Sequence, residues 1–233
     1  MKKKTKNNWL LGNYLYLIVG LIAALILFNQ YQILTLSSST GSYKISLKGA
    51  DTNIKNLDVT KIKSTAQGVA VLYPLSEIKT QEDAISIIIP TGTPEYGQDM
   101  GVSFDDPVKA LSKMANAYPT LKKQAQENPE LWKRYLNLAA QPRGIACEFC
   151  CGIGPQGVDS KGELRCGCSH NPALQSLTMW LLMNTEYSDA QVLKEVYKWK
   201  SIWFPKDMVG LAIKISGGDE KVLQDLPGMV GGC

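Results

Sequence analysis

The chain has 233 residues, 45% of them hydrophobic and 20% charged, which suits one moderate globular domain or two small ones and points to no exotic compositional class. Its formal net charge of +4 is carried entirely by Lys2, Lys3, Lys4 and Lys6, so the remainder of the chain is neutral. Nucleic-acid binding needs a basic face that this distribution does not supply, and nucleic acid is excluded as a partner.

Residues 1–8 read as a cytoplasmic tail and residues 9–28 as a transmembrane signal anchor. The stretch from Trp9 to Phe28 is interrupted only by Gly12, Asn13 and Gly20. At roughly 1.5 Å rise per residue it is long enough for a hydrocarbon core of about 30 Å. A cleaved signal peptide would end at a small-residue site, which "LILFNQYQILTL" lacks. Four lysines precede the span and no Lys or Arg follows it until Lys44. The positive-inside rule then predicts a single-pass protein of the cell membrane, its N-terminus cytoplasmic and its C-terminal domain extracytoplasmic. Residues 29–42, ending in "LSSSTGS", read as a short polar stalk.

Residues 43–100 read as a small β-containing subdomain. "YKISLKG" and "NLDVTKIKS" alternate, and "GVAVLYPL" is a short apolar run rich in β-branched residues between breakers, so two or three strands are expected. A short helix capped by Thr80 follows, and then "PTGTPEYGQDMG", where Pro and Gly recur too often for a regular element.

Residues 101–233 read as a helical, Cys-rich domain. Asp106-Pro107, Asn128-Pro129 and Asn171-Pro172 each place a capping acceptor before a proline, a pattern of helix starts. Apolar stripes follow at helical spacing: Val108, Leu111 and Ala115; Leu131, Tyr135 and Leu138; Leu174, Leu177 and Leu181. Ser188 and Gln191 form a capping-box pattern, and the helix they open carries Val192, Val196, Trp199 and Trp203 on one face, read as core. "PKDMVGLAIKI" predicts a fifth helix closed by Gly217 and Gly218, and "PGMVGGC" a loose tail. The expected fold class is α+β, mainly α, comprising an N-terminal transmembrane helix, a small β region and a helical domain with a Cys-rich metal-binding hairpin loop.

Within that domain "CEFCCGIGPQGVDSKGELRCGCSHNP" gathers Cys147, Cys150, Cys151, Cys166, Cys168 and His170, five of the six cysteines and the only histidine. Three chemistries compete. In an oxidising compartment the cysteines form disulfides that staple a structural or interaction domain. As a redox pair, Cys147 and Cys150 act as a thiol–disulfide oxidoreductase, although Glu148 puts an anion inside the CxxC. As a metal site, Cys147 and Cys150 form a CxxC knuckle, while Cys166, Cys168 and His170 alternate and face one side of an extended segment. A turn at Asp159, Ser160, Lys161 and Gly162 returns one arm onto the other.

The metal reading accounts for most of these details and sets the expected function: a membrane-anchored metal-binding protein, for metal handling or structural purposes. Tetrahedral zinc suits four ligands drawn from Cys147, Cys150, Cys166, Cys168 and His170, and copper(I) suits soft thiolates in excess, as the adjacent Cys150 and Cys151 supply. An iron–sulfur cluster ranks behind both because the spacings do not match the common ferredoxin runs. Met179 and Met183 read as core rather than as thioether ligands. With no GxSxG, HExxH or phosphate loop, an enzyme is not the expected reading. Asp105 beside Asp106 is half explained by capping. A protein partner is not specified by anything in the sequence.

"GVSFDDP", "CEFCCG", "CGCSHNPALQSLTMWLL" and "WKSIWFPK" together resemble a group of uncharacterised membrane-anchored, Cys-rich proteins of archaea and candidate bacterial phyla, over roughly residues 90 to 210. "CGCSH" alone also resembles the motif of the extracytoplasmic PCYCGC proteins. That resemblance implies copper at Cys166, Cys168 and His170, but Leu164 and Arg165 stand where that family has its leading Pro-Cys-Tyr.

Overall fold

A computed structural model describes residues 16, 18–24, 28, 54–217 and 226–232. The chain divides into two units, residues 1–45 and 46–233, and the site lies in the second. Its helices are α1 (Thr65–Leu72), α2 (Gln81–Ile88), α3 (Gly97–Met100), α4 (Pro107–Gln126), α5 (Pro129–Ala139), α6 (Glu148–Cys151), α7 (His170–Asn184), α8 (Asp189–Trp203) and α9 (Pro205–Ser216). Three 3₁₀ turns, at Ile54–Asn56, Val59–Lys61 and Leu75–Glu77, join the early elements.

The sequence places most of these helix starts. The Asp106 carboxylate accepts from the Lys109 amide at 3.3 Å and the Asn128 side chain accepts from the Leu131 amide at 3.1 Å. Thr80 with Asp83, and Ser188 with Gln191, close full capping boxes. Asp105 is structural as well, accepting the Gly92 amide at 2.8 Å. Asn171 behaves differently: α7 already begins at His170, and the Asn171 side chain reaches back to the loop before it.

α7 is the central helix, packed along α4 and against α5 and α8. It is buried on nearly every side, which is why its polar residues Asn171, Gln175, Ser176 and Thr178 lie inside the protein. Trp199 and Trp203 are core residues, and each indole N–H has a partner, the Tyr96 hydroxyl at 2.9 Å and the Pro107 carbonyl at 3.1 Å. Met179 is fully buried in the same core. Val108, by contrast, is exposed, and α4 turns Ala110, Leu111, Met114 and Tyr118 inward instead. Gly217 closes α9 in the left-handed region.

Two expectations are corrected. The small β region does not form: among the described residues there are only two isolated bridges, Ile145 with Gln156 and Val158 with Leu164. "NLDVTKIKS" makes 3₁₀ turns, and "GVAVLYPL" supplies the end of α1. The cause lies in a competing period. Thr65, Gly68, Val69 and Leu72 are buried at helical spacing behind a Ser64 cap, and this outweighs the β-branched composition of a short run. "YKISLKG" lies outside the described residues.

The second correction concerns the membrane. Among the described residues no helix is long and apolar enough to cross a bilayer. Of the proposed span only Tyr16, Ile18 to Ala24 and Phe28 are described. The N-terminal transmembrane helix, the membrane partner it implied, and the single-pass placement with an extracytoplasmic domain are therefore not supported.

Candidate metal centre

The first arm is a single helical turn. The Cys147 carbonyl accepts from the amides of Cys150 at 3.0 Å and Cys151 at 3.2 Å, and Gly152 ends the turn with φ 64°. A helical turn sets residues i and i+4 on one face, and the Sγ atoms of Cys147 and Cys151 are 3.8 Å apart.

The intervening loop folds back as a hairpin. Asp159 accepts amides of Lys161 at 2.8 Å and Glu163 at 2.9 Å through its carboxylate, and the Asp159 amide donates to the Glu163 carbonyl at 2.9 Å. Gly162, at φ 83°, completes the predicted tip. Holding the Asp159 carboxylate ionised, these backbone donors, that of Glu163 foremost, lower its pKa below the ordinary value.

Buried side chains from α7 fix the hairpin to the core. The Asn171 amide donates to the Gly157 carbonyl at 2.8 Å, and the Gln175 amide donates to the Ile145 carbonyl at 2.9 Å and to Asn171 Oδ1 at 3.0 Å. The Tyr135 hydroxyl completes the chain by donating to Gln175 Oε1 at 3.0 Å. Gly157 sits so close that a Cβ there would run into the Ile145 carbonyl and the Gln175 amide.

The two arms converge as a result. Sγ atoms of Cys147, Cys151, Cys166 and Cys168 all lie within 4.8 Å of one another. Cys147 Sγ is 2.9 Å from Cys168 Sγ, and Cys151 and Cys166 are at disulfide distance. Cys147 is wholly buried, whereas Cys166 and Cys168 are partly exposed, so the group opens to one side. Cys147 and Cys168 stand as free thiols; Cys150 does not.

Cys147 and Cys168 are electrostatically coupled through their 2.9 Å contact. The contact with Cys147 pulls the Cys168 pKa down, helped by the nearby His170 side chain and by the Asn171 and His170 amides at the N-terminus of α7, while burial opposes it. The same contact, with burial, pushes Cys147 up.

His170 and Cys150 take a different position from the one the sequence predicts. Together with Cys168 they form a second donor group, within 4.8 Å of one another, that shares Cys168 with the first. His170 is completely buried, packed between the rings of Trp203 and Phe204 at centroid distances of 5.7 and 4.8 Å. Its Nε2 lies 2.9 Å from the Val230 carbonyl. The tail is accordingly not loose: the Val230 amide donates to the Trp203 carbonyl at 2.8 Å and the Lys206 amide to the Pro227 carbonyl at 3.3 Å. Cys233 lies outside the described residues.

Sequence reasoning missed the buried charge behind the first arm. Lys200 Nζ is inaccessible and contacts Glu148 Oε1 at 2.6 Å, the Gly144 carbonyl at 2.9 Å and Thr65 Oγ1 at 3.0 Å, and the Thr65 hydroxyl in turn donates to Glu148. Burial pushes the lysine pKa down while Glu148 opposes the shift, and Cys147 adds a smaller electrostatic effect of the same sign as Glu148. A signal was present: Val196, Lys200 and Trp203 follow helical spacing, which puts Lys200 on the apolar face of α8.

A sulfur-rich group of this kind could hold a metal ion once its sulfurs are reduced. In tetrahedral geometry, Zn–S bonds of about 2.3 Å set sulfur atoms about 3.8 Å apart, within the spread seen here. No family model, curated protein or solved structure matches the chain.

Proposed function

We propose that the protein binds a thiophilic metal ion, copper(I) or zinc(II), through Cys147, Cys151, Cys166 and Cys168, and that it handles the ion rather than depending on it for folding. The observation that carries this reading is the convergence of four sulfur atoms from two chain segments within 4.8 Å. Two further features favour handling over a scaffold role. The group is open on one side, and the hairpin is held by Asn171, Gln175 and Tyr135 without help from an ion. An extensive helical core already supports the fold, so a structural staple is not needed for stability.

Loading requires the Cys151–Cys166 pair in its reduced form. A dithiol reductant supplies two electrons and two protons and closes into its own disulfide, and the protein sulfurs release protons as they take the ion. A second reading, a disulfide-stapled structural domain, is favoured by the disulfide distance between Cys151 and Cys166.

Metal content of the full chain, purified anaerobically under dithiol reductant, tests the choice beside a thiol count. Bound copper or zinc that Cys166→Ser abolishes supports the metal centre. Absence of metal from fully reduced protein supplied with both ions refutes it and leaves the disulfide reading.

A further inference from the structure

The imidazole of His170 carries a chemical clue that the four-cysteine group does not explain. Its Nε2 faces the Val230 carbonyl at 2.9 Å. A carbonyl only accepts, so Nε2 bears the hydrogen, and in the neutral ring the lone pair is then left on Nδ1. That atom is buried without a hydrogen-bond partner. An unsatisfied buried acceptor is destabilising, and native structures rarely keep one without a use.

The ring is also firmly held. Trp203 and Phe204 pack on it, and the Val230 backbone that fixes its tautomer is itself bound to the Trp203 carbonyl. Metal-binding histidines are oriented in this way, with one ring nitrogen donating to a backbone carbonyl and the other directed at the ion. His170 stands with Cys150 and Cys168 in a donor group whose atoms lie within 4.8 Å of one another.

We infer that the centre is binuclear: Cys168 bridges the ion of the four-cysteine group to a second copper(I), which Cys150 Sγ and His170 Nδ1 hold from the other side. Two thiolates and one imidazole form a soft, three-coordinate set that suits copper(I). This inference rests on the reading of the four-cysteine group as a metal centre. Cys150 must be a thiolate for the second position to load, so the protein is reduced by a dithiol first, each opened disulfide taking two electrons and two protons from it.

The test is anaerobic titration of the reduced full chain with copper(I), with bound copper counted per chain after desalting. The wild type is expected to retain two equivalents, and Cys150→Ser and His170→Asn one each, with unchanged far-UV circular dichroism. X-ray absorption should show a nitrogen scatterer and a copper–copper path that both variants lose. One equivalent in the wild type or two in both variants overturns the second position and leaves the first, and loss of both ions from Cys150→Ser overturns the division into two positions. No retained copper in any form overturns the four-cysteine centre as well. Where His170→Asn fails to fold, the stoichiometry of Cys150→Ser and the nitrogen scatterer of the wild type decide.

Discussion

Lys200 Nζ lies 2.6 Å from Glu148 Oε1 with no part of the lysine side chain exposed. This pair ties the middle of α8 to the turn that carries Cys147 and Cys151, so the position of the first arm depends on a buried charge. Removing one partner leaves the other unpaired in a poorly solvated site, at a cost of about 3 kcal/mol. Lys200→Met should therefore lower Tm by roughly 6–12 °C for a domain of this size. Lys200→Met combined with Glu148→Leu should recover most of that loss, since replacing both charges removes the unpaired group. Thermal melts of the two proteins check this, and an equally destabilised double variant refutes it.

Gly157 is a steric prediction. The backbone of the hairpin approaches α7 closely there, and a methyl group meets the Ile145 carbonyl and the Gln175 amide that donates to it. Gly157→Ala is expected to destabilise the protein by about 2 kcal/mol or more by displacing that hydrogen bond. Urea unfolding measures the change; a variant within about 0.5 kcal/mol of wild type contradicts the docking described here.

Asp159 gives a pH dependence of known sign. Its folded pKa is lowered, so its contribution is present above the ordinary carboxylate value and is lost as pH falls through the lower folded value. The stability difference between wild type and Asp159→Asn should thus be full at about pH 6 and shrink toward zero by about pH 2. A difference that stays constant or grows on acidification rules out the hairpin-tip role.

The sequence made the helical half legible because caps and prolines act locally: Asp106, Asn128, Thr80 and Ser188 each bond an amide three residues away. It misled where two periods overlap in a short run, as in α1, where Val69 and Val71 suggest alternation while Thr65, Gly68, Val69 and Leu72 set the buried helical face. The return of one Cys-bearing arm onto the other through a hairpin was legible. The site's partition was not: Cys147 meets Cys151 across one helical turn, and Asn171 holds the hairpin because α7 starts one residue before it. The contacts of His170 with Val230 and of Lys200 with Thr65 join residues far apart in the chain and have no local signature.

The four-cysteine centre makes one further demand on stability. If the ion is handled rather than structural, the reduced apo protein should keep its helical circular dichroism and cooperative unfolding, and added ion should raise Tm only by the increment its affinity provides. Collapse of the helical signal on metal removal would instead mark a structural site.

The most direct measurement is the X-ray absorption spectrum of the reduced, zinc-loaded full chain, compared with that of Cys147→Ser. The four-cysteine reading predicts a first shell dominated by sulfur at about 2.3 Å, losing one sulfur scatterer in the variant. A shell of oxygen or nitrogen, or one unchanged by the substitution, would contradict it.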